Sequence, residues 1–228
     1  MECKFNINCK LKDSDYCSES CERYIKLDYL FKNSLIPNES ISPTSLFIDS
    51  DGSDREVFSY LKNVQSNIKD AVKGGINLYL FSQTPGNGKT SWSIRLSKAY
   101  LYSIWSDCNL EPKILFINVP RYLLELKSNI DEKSDYIYHI KHNVTKCDLV
   151  VWDDIATKSA TEFEHEHLLS MVDYRLYNKK ANIFTSNILP EELHNMLGSR
   201  LASRIVNESR LLHFIGRDKR GLEWKIKS

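Results

Sequence analysis

Short apolar runs alternate along this chain with stretches whose apolar residues recur every three or four positions. The short runs are typical of strands that are buried on both faces, and the periodic stretches are typical of amphipathic helices. The pattern predicts five strands, at residues 76–82, 113–118, 148–152, 181–187 and 211–215.

Helical periodicity fills the segments around these strands. The predicted helices cover residues 22–34, 57–72, 89–105, 120–130, 136–146, 162–177 and 198–207, with a short one that begins at Pro190. We expect Asp51 or Ser53 to cap the second of these helices and Gly74-Gly75 to end it. A turn at 218–221 should lead into a short last strand. Because strands and helices alternate, the sequence predicts a three-layer α/β fold with a central five-stranded parallel sheet.

The composition is that of a folded chain. Its 228 residues include 31 Lys and Arg against 30 Asp and Glu, and 42% are hydrophobic. We expect a cysteine-rich N-terminal region at 1–36, a linker with two prolines at 37–51 and one main domain at 52–228. No apolar run approaches the roughly 18 residues that cross a bilayer, and the chain does not begin like a signal peptide. A cytoplasmic protein with no membrane partner is therefore expected.

A phosphate-binding loop is predicted between the first strand and the helix that begins at Lys89. Such a loop needs small residues that let backbone N–H groups face phosphates, a lysine that reaches the β and γ oxygens, and a hydroxyl that holds Mg²⁺. Gln83 stands where the usual pattern has its first glycine. The alternative is a glycine turn that precedes Lys-Thr by chance. The residues that we expect to contact a bound nucleotide are Thr84, Pro85, Gly86, Asn87, Gly88, Lys89, Thr90 and Ser91.

Two carboxylates follow the third predicted strand, which reads Leu-Val-Val-Trp before Asp153 and Asp154. Ligands bind open α/β sheets beyond the carboxyl ends of the strands, where this pair should lie. We expect Asp153 to hold Mg²⁺ together with Thr90, and Asp154 to polarise an attacking water. The alternative is an ordinary solvated strand end.

Three further polar residues are candidates for the same chemistry. Asn187 ends the fourth predicted strand and could orient water or contact the γ-phosphate, although an asparagine before a turn is common. Arg200 and Arg204 are four residues apart, so they share one face of a helix. An arginine supplied by a neighbouring subunit stabilises the charge of phosphoryl transfer, and Arg204 is our candidate for that role, with Arg200 supporting it or contacting a neighbour. The alternative is a pair of surface arginines.

In combination and order, these pieces resemble the AAA+ ATPases of the bacterial and phage replicative helicase loader family, the DnaC and DnaI type. The resemblance covers about residues 52–216 and rests on PGNGKTS, DLVVWDDI, IFTSN and LGSRLASRI. It implies that Asp153 and Asp154 are the Walker B pair, that Asn187 is sensor 1 and that Arg204 is the arginine finger. It also implies ATP and Mg²⁺ as cofactors and subunits that assemble through ATP-bridged interfaces. The family's helical lid domain is not expected, because the chain ends soon after the fifth strand.

Members of this family load a DnaB-type helicase onto single-stranded DNA, and their N-terminal region binds the helicase. The resemblance therefore implies a loader with slow, partner-stimulated ATPase activity, and the small size suits a phage or mobile element in a bacterial host. Two alternatives stay open. One is an adaptor that binds or sequesters a helicase or initiator without significant turnover, and the other is a transposition helper ATPase.

Four cysteines, Cys3, Cys9, Cys17 and Cys21, lie within the first 21 residues. Four thiolates could hold a structural Zn²⁺, and this segment has too few apolar residues to fold unaided. Their spacing lacks the paired C-x₂-C of strong zinc motifs, so free thiols in a flexible tail remain the alternative.

Positive charge is concentrated at the end of the chain. From residue 200 onward there are eight Lys and Arg against three Asp and Glu, whereas the preceding part has a slight acidic excess. This basic segment could face DNA phosphates, with Lys158 adding to the contact. The alternative is that its arginines serve ATP sites or solubility.

Overall fold

The structure is a computed structural model that describes residues 20–37, 52–128, 134–156 and 161–219, together with residues 3, 5, 9, 10, 12 and 14–18. Five strands form one sheet in the order β2-β3-β4-β1-β5, and every neighbouring pair is parallel. The strands are β1 (Asn77–Phe81), β2 (Ile114–Asn118), β3 (Leu149–Asp153), β4 (Ala181–Ser186) and β5 (Arg210–His213). The predicted five-stranded parallel sheet is confirmed.

Nine α-helices lie within the described residues. They are α1 (Glu22–Asn33), α2 (Arg55–Ser66), α3 (Ile68–Lys73), α4 (Lys89–Ile104), α5 (Val119–Ser128), α6 (Asp135–Asn143), α7 (Glu162–Tyr177), α8 (Leu193–Leu197) and α9 (Ser199–Glu208). Short 3₁₀ turns cover Trp105–Asp107 and Pro190–Glu192.

The two faces of the sheet bury separate apolar clusters, which makes three layers. Leu78 and Leu80 of β1 point into a cluster that includes residues of α1 to α4. Tyr79 and Phe81 of the same strand point into the other cluster, with residues of α5 to α9. The alternation along β1 follows from the two-residue repeat of a strand. Both faces are apolar because helices cover both, as the sequence pattern predicted.

The predicted helix at 57–72 is in fact two helices. They are separated at Asn67, whose φ of −115° and ψ of 28° leave the helical range. The N-cap of α2 is Asp54, so the prediction of Asp51 or Ser53 was wrong, and the Asp54 side chain makes no capping hydrogen bond. The Asp54 carboxylate instead accepts hydrogen bonds from Ile215 N and Gly216 N, a long-range contact that local patterns do not reveal.

Helix α1 packs directly on the main domain. Leu27 and Leu30 are buried, and Leu30 belongs to the same cluster as Leu78. Just after α1, Ser34 O accepts a hydrogen bond of 2.8 Å from Phe116 N of β2, which is an outer strand of the sheet. The boundaries predicted at 36 and 51 stay predictions, since residues 38–51 lie outside the described part, as does the short last strand predicted beyond residue 221.

None of the helices that the structure describes has both the length and the apolar character needed to traverse a lipid bilayer.

Candidate nucleotide-binding site

The loop between β1 and α4 has the backbone of an anion-binding turn. Gly86 and Gly88 have φ values of 71° and 109°, which residues with a Cβ rarely adopt. Gly88 is the N-cap of α4, so the free N–H groups and the positive end of the helix dipole face the loop. An anion such as phosphate is favoured at this position.

Two side chains inside the loop hold its shape. Asn87 is fully buried, and its Nδ2 donates to Ser82 Oγ at 2.7 Å and to Phe214 O at 3.3 Å. Ser82 Oγ also accepts a bond of 3.1 Å from Thr84 N. Neither structural role was visible in the sequence, in which Asn87 was predicted only as a nucleotide contact.

The Lys89 ammonium lies within this loop. Its Nζ is 3.2 Å from both Thr84 O and Asn87 Oδ1, and the residue is buried. An ammonium at this position can bind a phosphate oxygen, because hydrogen bonds between oppositely charged groups are stronger than those to neutral oxygens.

The other predicted nucleotide contacts lie around this centre. Thr84, Thr90 and Ser91 are half-buried, while Pro85 and Gln83 are exposed. Gln83 is not among the described residues with positive φ. The backbone at this position therefore does not require the glycine that the usual pattern has.

The acid pair and the phosphate loop meet at the carboxyl edge of the sheet. Asp153 is the last residue of β3 and is buried. Its Oδ1 accepts hydrogen bonds from Thr90 Oγ1 at 2.9 Å and from Thr185 Oγ1 at 2.7 Å. Hydroxyl and carboxylate oxygens are the ligands that Mg²⁺ prefers, so Thr90 and Asp153 fit the predicted metal site.

The pKa of the Asp153 carboxyl is raised to about 6, chiefly because the group is buried, and the nearby charge of Asp154 contributes in the same direction. The hydrogen bonds from Thr185 and Thr90 and the charge of Lys89 act in the opposite direction. A carboxylate kept charged in a buried place costs stability, and such groups concentrate at functional sites.

We therefore expect Asp153→Asn to stabilise the Mg²⁺-free protein by about 1–3 kcal/mol at pH 7. The folded-state pKa of about 6 lies above the ordinary 3.8, so the folded protein binds more protons than the unfolded chain between these values. Stability should fall as pH rises through that window, and the advantage of the variant should vanish below about pH 4. Urea unfolding at several pH values measures this, with Asp107→Asn in an exposed ion pair as the control. A variant less stable than the wild type at pH 7 would contradict the expectation.

Asp154 begins the turn after β3 with a φ of 56°, a conformation that aspartate tolerates better than most residues. Its N–H donates to Thr185 Oγ1 at 3.0 Å, and Ile155 N donates to Thr185 O at 2.9 Å. Strand β4 therefore fixes the turn that carries this carboxylate, and backbone strain of this kind clusters at functional sites.

Thr185 is the residue that sequence reasoning missed. Asn187 was predicted to act at this edge, and the structure places it exposed, one residue beyond β4. The contacts with the acid pair come from Thr185, which is buried. The sequence shows that the Ile-Phe-Thr-Ser-Asn strand ends in polar residues, but it does not show which of these residues contacts the acid pair.

Both candidate arginines lie on α9 and are exposed. Arg204 Nε is 3.0 Å from Asp173 Oδ1 of α7. Arg204 and Asp173 line an open cavity of about 480 Å³ together with Tyr174 and Tyr177. Arg204 is thus available to a neighbouring molecule at this surface.

The zinc prediction finds no support in the structure. Among the described residues, which include Cys3, Cys9, Cys17 and Cys21, no group of three or more His, Cys, Asp or Glu could hold a metal ion. Cys21 caps α1, since its Sγ accepts a hydrogen bond of 3.3 Å from Tyr24 N. Lys158 and residues 220–228 of the basic segment lie outside the described part.

No protein-family model matches the chain. The chain is 24% identical over 132 residues to the replicative helicase loader DnaC of Escherichia coli K12, an alignment that covers 58% of this chain and 51% of the loader. The chain thus spans about half the length of that relative.

Solved structures of replication proteins have the same fold as this chain. The crystal structure of the DnaC helicase loader matches with a TM-score of 0.61 and 20% identity, over 77% of this chain and 97% of that one. The replication initiator DnaA bound to AMPPCP and single-stranded DNA matches with a TM-score of 0.62 and 16% identity, over 83% of this chain and 55% of that one.

These comparisons confirm the resemblance that the sequence motifs predicted. The chain has an AAA+ P-loop fold, shared with the DnaC and DnaA structures, and its sequence is similar to that of replicative helicase loaders.

Proposed function

We propose that this chain is an ATP-dependent helicase loader, which delivers a DnaB-type replicative helicase onto single-stranded DNA during replication initiation. The observation that carries the proposal is the meeting of Lys89, Thr90 and Asp153 at one edge of the sheet, in a chain similar to DnaC. The similarity to a DnaA structure that holds a nucleotide analogue and single-stranded DNA supports both ligands.

ATP binds with its phosphates against the loop between β1 and α4. The N-terminus of α4 and the loop N–H groups face the phosphates, and the Lys89 ammonium exchanges its neutral partners for phosphate oxygens. Thr90 and Asp153 hold Mg²⁺, which neutralises charge on the phosphates when bound.

Hydrolysis is the attack of water on the γ-phosphorus, which breaks the bond to the oxygen of the β-phosphate and gives ADP and phosphate. The Asp154 carboxylate accepts a hydrogen bond from the water and orients it. The contacts of Thr185 with the Asp153 carboxylate and the Asp154 N–H support this arrangement, because they fix both acids in one turn. Asn187 contacts the γ-phosphate or the water from the end of β4.

The active form is an assembly in which Arg204 of one subunit reaches the nucleotide of the next, with Arg200 supporting it. The exposure of both arginines supports this role. The N-terminal region at 1–36 contacts the helicase, and the basic segment from residue 200 onward contacts DNA together with Lys158. We place the protein in the bacterial cytoplasm.

Helicase binding and turnover test the proposal together. We expect the purified chain to capture a DnaB-type helicase in the presence of ATP. Its steady-state ATPase rate should rise severalfold when helicase and single-stranded DNA are added. Native mass spectrometry of the complex and a phosphate-release assay measure the two quantities, with Lys89→Ala as the control.

The competing functions predict other results in the same experiment. Capture of the helicase with no ATP turnover would support a nucleotide-switched adaptor. Capture of a transposase and failure to capture a helicase would support a transposition helper. Either result would overturn the loader assignment.

A further inference from the structure

Asp54 and Lys219 form a buried ion pair near the phosphate loop. Both side chains have no solvent exposure, and Lys219 Nζ is 3.7 Å from Asp54 Oδ2. The ammonium also lies 4.8 Å from the centre of the Phe58 ring. Buried charges are costly unless they are paired and hydrogen-bonded, so this arrangement is under tight structural constraint.

The segment from Phe214 to Lys219 follows β5 and is tied to Asp54 along its length. The Asp54 carboxylate accepts hydrogen bonds from Ile215 N at 2.8 Å and from Gly216 N at 3.1 Å, in addition to facing the Lys219 ammonium. Asp54 therefore holds both the beginning and the end of this segment.

The other side of the same segment contacts the phosphate loop. Lys219 N donates a hydrogen bond of 3.0 Å to Gly86 O, and Phe214 O accepts one of 3.3 Å from Asn87 Nδ2. Residues 214–219 thus link a fixed carboxylate at the start of α2 to the centre of the loop.

The bond to Gly86 O sets the direction of the next backbone N–H. The C=O and the N–H of a trans peptide point in opposite directions, and the described residues contain no cis peptide bond. Because Gly86 O is held toward Lys219, the N–H of Asn87 is turned away from the 214–219 segment. Backbone N–H groups of such loops are the donors that bind phosphate.

We infer that Asp54 and Lys219 are positioning residues, which hold the phosphate loop in its nucleotide-binding conformation before ATP arrives. A loop ordered in advance binds more tightly, since less conformational freedom is lost on binding. The inference rests on the proposed function, because it takes ATP as the ligand of the loop.

Two substitutions at position 219 distinguish the contribution of the ammonium to ATP binding from that of the backbone N–H. Lys219→Ala removes the ammonium, and Lys219→Pro removes both the ammonium and the N–H that bonds Gly86 O. We expect roughly tenfold weaker ATP binding by Lys219→Ala, and a further loss of about threefold to tenfold by Lys219→Pro. Calorimetry with ATP and Mg²⁺ measures the Kd. Hydrogen exchange of the loop amides without nucleotide should be faster in both variants.

The control is Lys69→Ala, which breaks the exposed ion pair with Asp107 and should leave the Kd and the loop exchange unchanged. Lys219→Met replaces Lys219→Ala if that variant does not fold, since it fills the same buried space without a charge. Folded variants with the Kd and the loop exchange of the wild type, whatever their unfolding temperature, would overturn the inference. A wild type that does not bind ATP would instead refute the proposed function.

Discussion

Lys89→Ala is expected to weaken ATP binding by at least about a hundredfold, because it removes the cation at the centre of the phosphate loop. The Lys89 ammonium is buried and 3.2 Å from each of two loop oxygens, so it needs little movement to reach a phosphate. The fold should survive, because the hydrogen bonds among Ser82, Thr84 and Asn87 hold the loop in shape without the Lys89 ammonium.

Calorimetric titration with ATP and Mg²⁺ measures this effect. Lys98→Ala is the matched control, because Lys98 lies on the same helix and is only partly buried, well along from the loop. Equal ATP affinity of Lys89→Ala and the wild type would show that ATP does not bind at this edge of the sheet.

The second large effect is expected for Arg204→Ala, which should bind ATP normally and lose hydrolysis by about a thousandfold. The physical reason is that an arginine from a neighbouring subunit stabilises charge that develops only as the γ-phosphoryl group is transferred. Single-turnover hydrolysis by the assembled protein, compared with the Kd for ATP, separates the two steps.

The ion pair of Arg204 with Asp173 allows a sharper test. If Arg204 served only to join α9 to α7, Asp173→Ala would have the same effect as Arg204→Ala, and both would be small, because exposed ion pairs contribute less than about 1 kcal/mol. A finger that acts between subunits predicts that Arg204→Ala and Lys89→Ala, each inactive, regain activity when mixed. Absence of such recovery in mixed assemblies would contradict a role between subunits.

Much of this site could be predicted from sequence because its parts follow local rules. The loop from Ser82 to Thr90 lies between a buried strand and a helix, and Asp153 follows a run of apolar residues, so each could be placed at a strand end. The parallel arrangement then brings these strand ends to one edge.

The contacts that were not predicted depend on tertiary structure. Thr185 and Asn187 are both polar residues at a strand end, and only the register of β4 against β3 decides which one contacts Asp153. Asp54 and Lys219 are in contact but lie far apart in the sequence, near the two ends of the segment that forms the main domain. Because lysine is also rarely buried, no local pattern pairs them.

The cysteine prediction shows the limit of composition. Four cysteines in a short segment predict a metal site, and the Cys21 sulfur also accepts a backbone hydrogen bond at the start of α1. A zinc-bound thiolate and a free thiol can both accept such a bond, and spacing along the chain does not distinguish them, so the zinc site stays a prediction.

The hydrogen bond between Ser34 O and Phe116 N also has a consequence for solubility. Strand β2 is an edge strand of the sheet, and an unpaired apolar edge strand is a template on which other copies of a chain aggregate. Ser34, just after α1, accepts a hydrogen bond from one backbone N–H of this edge strand, and Leu30 packs in the same apolar cluster as Phe116. We therefore expect these N-terminal residues to limit aggregation through this edge strand, and a fragment that begins at residue 52 to aggregate more readily.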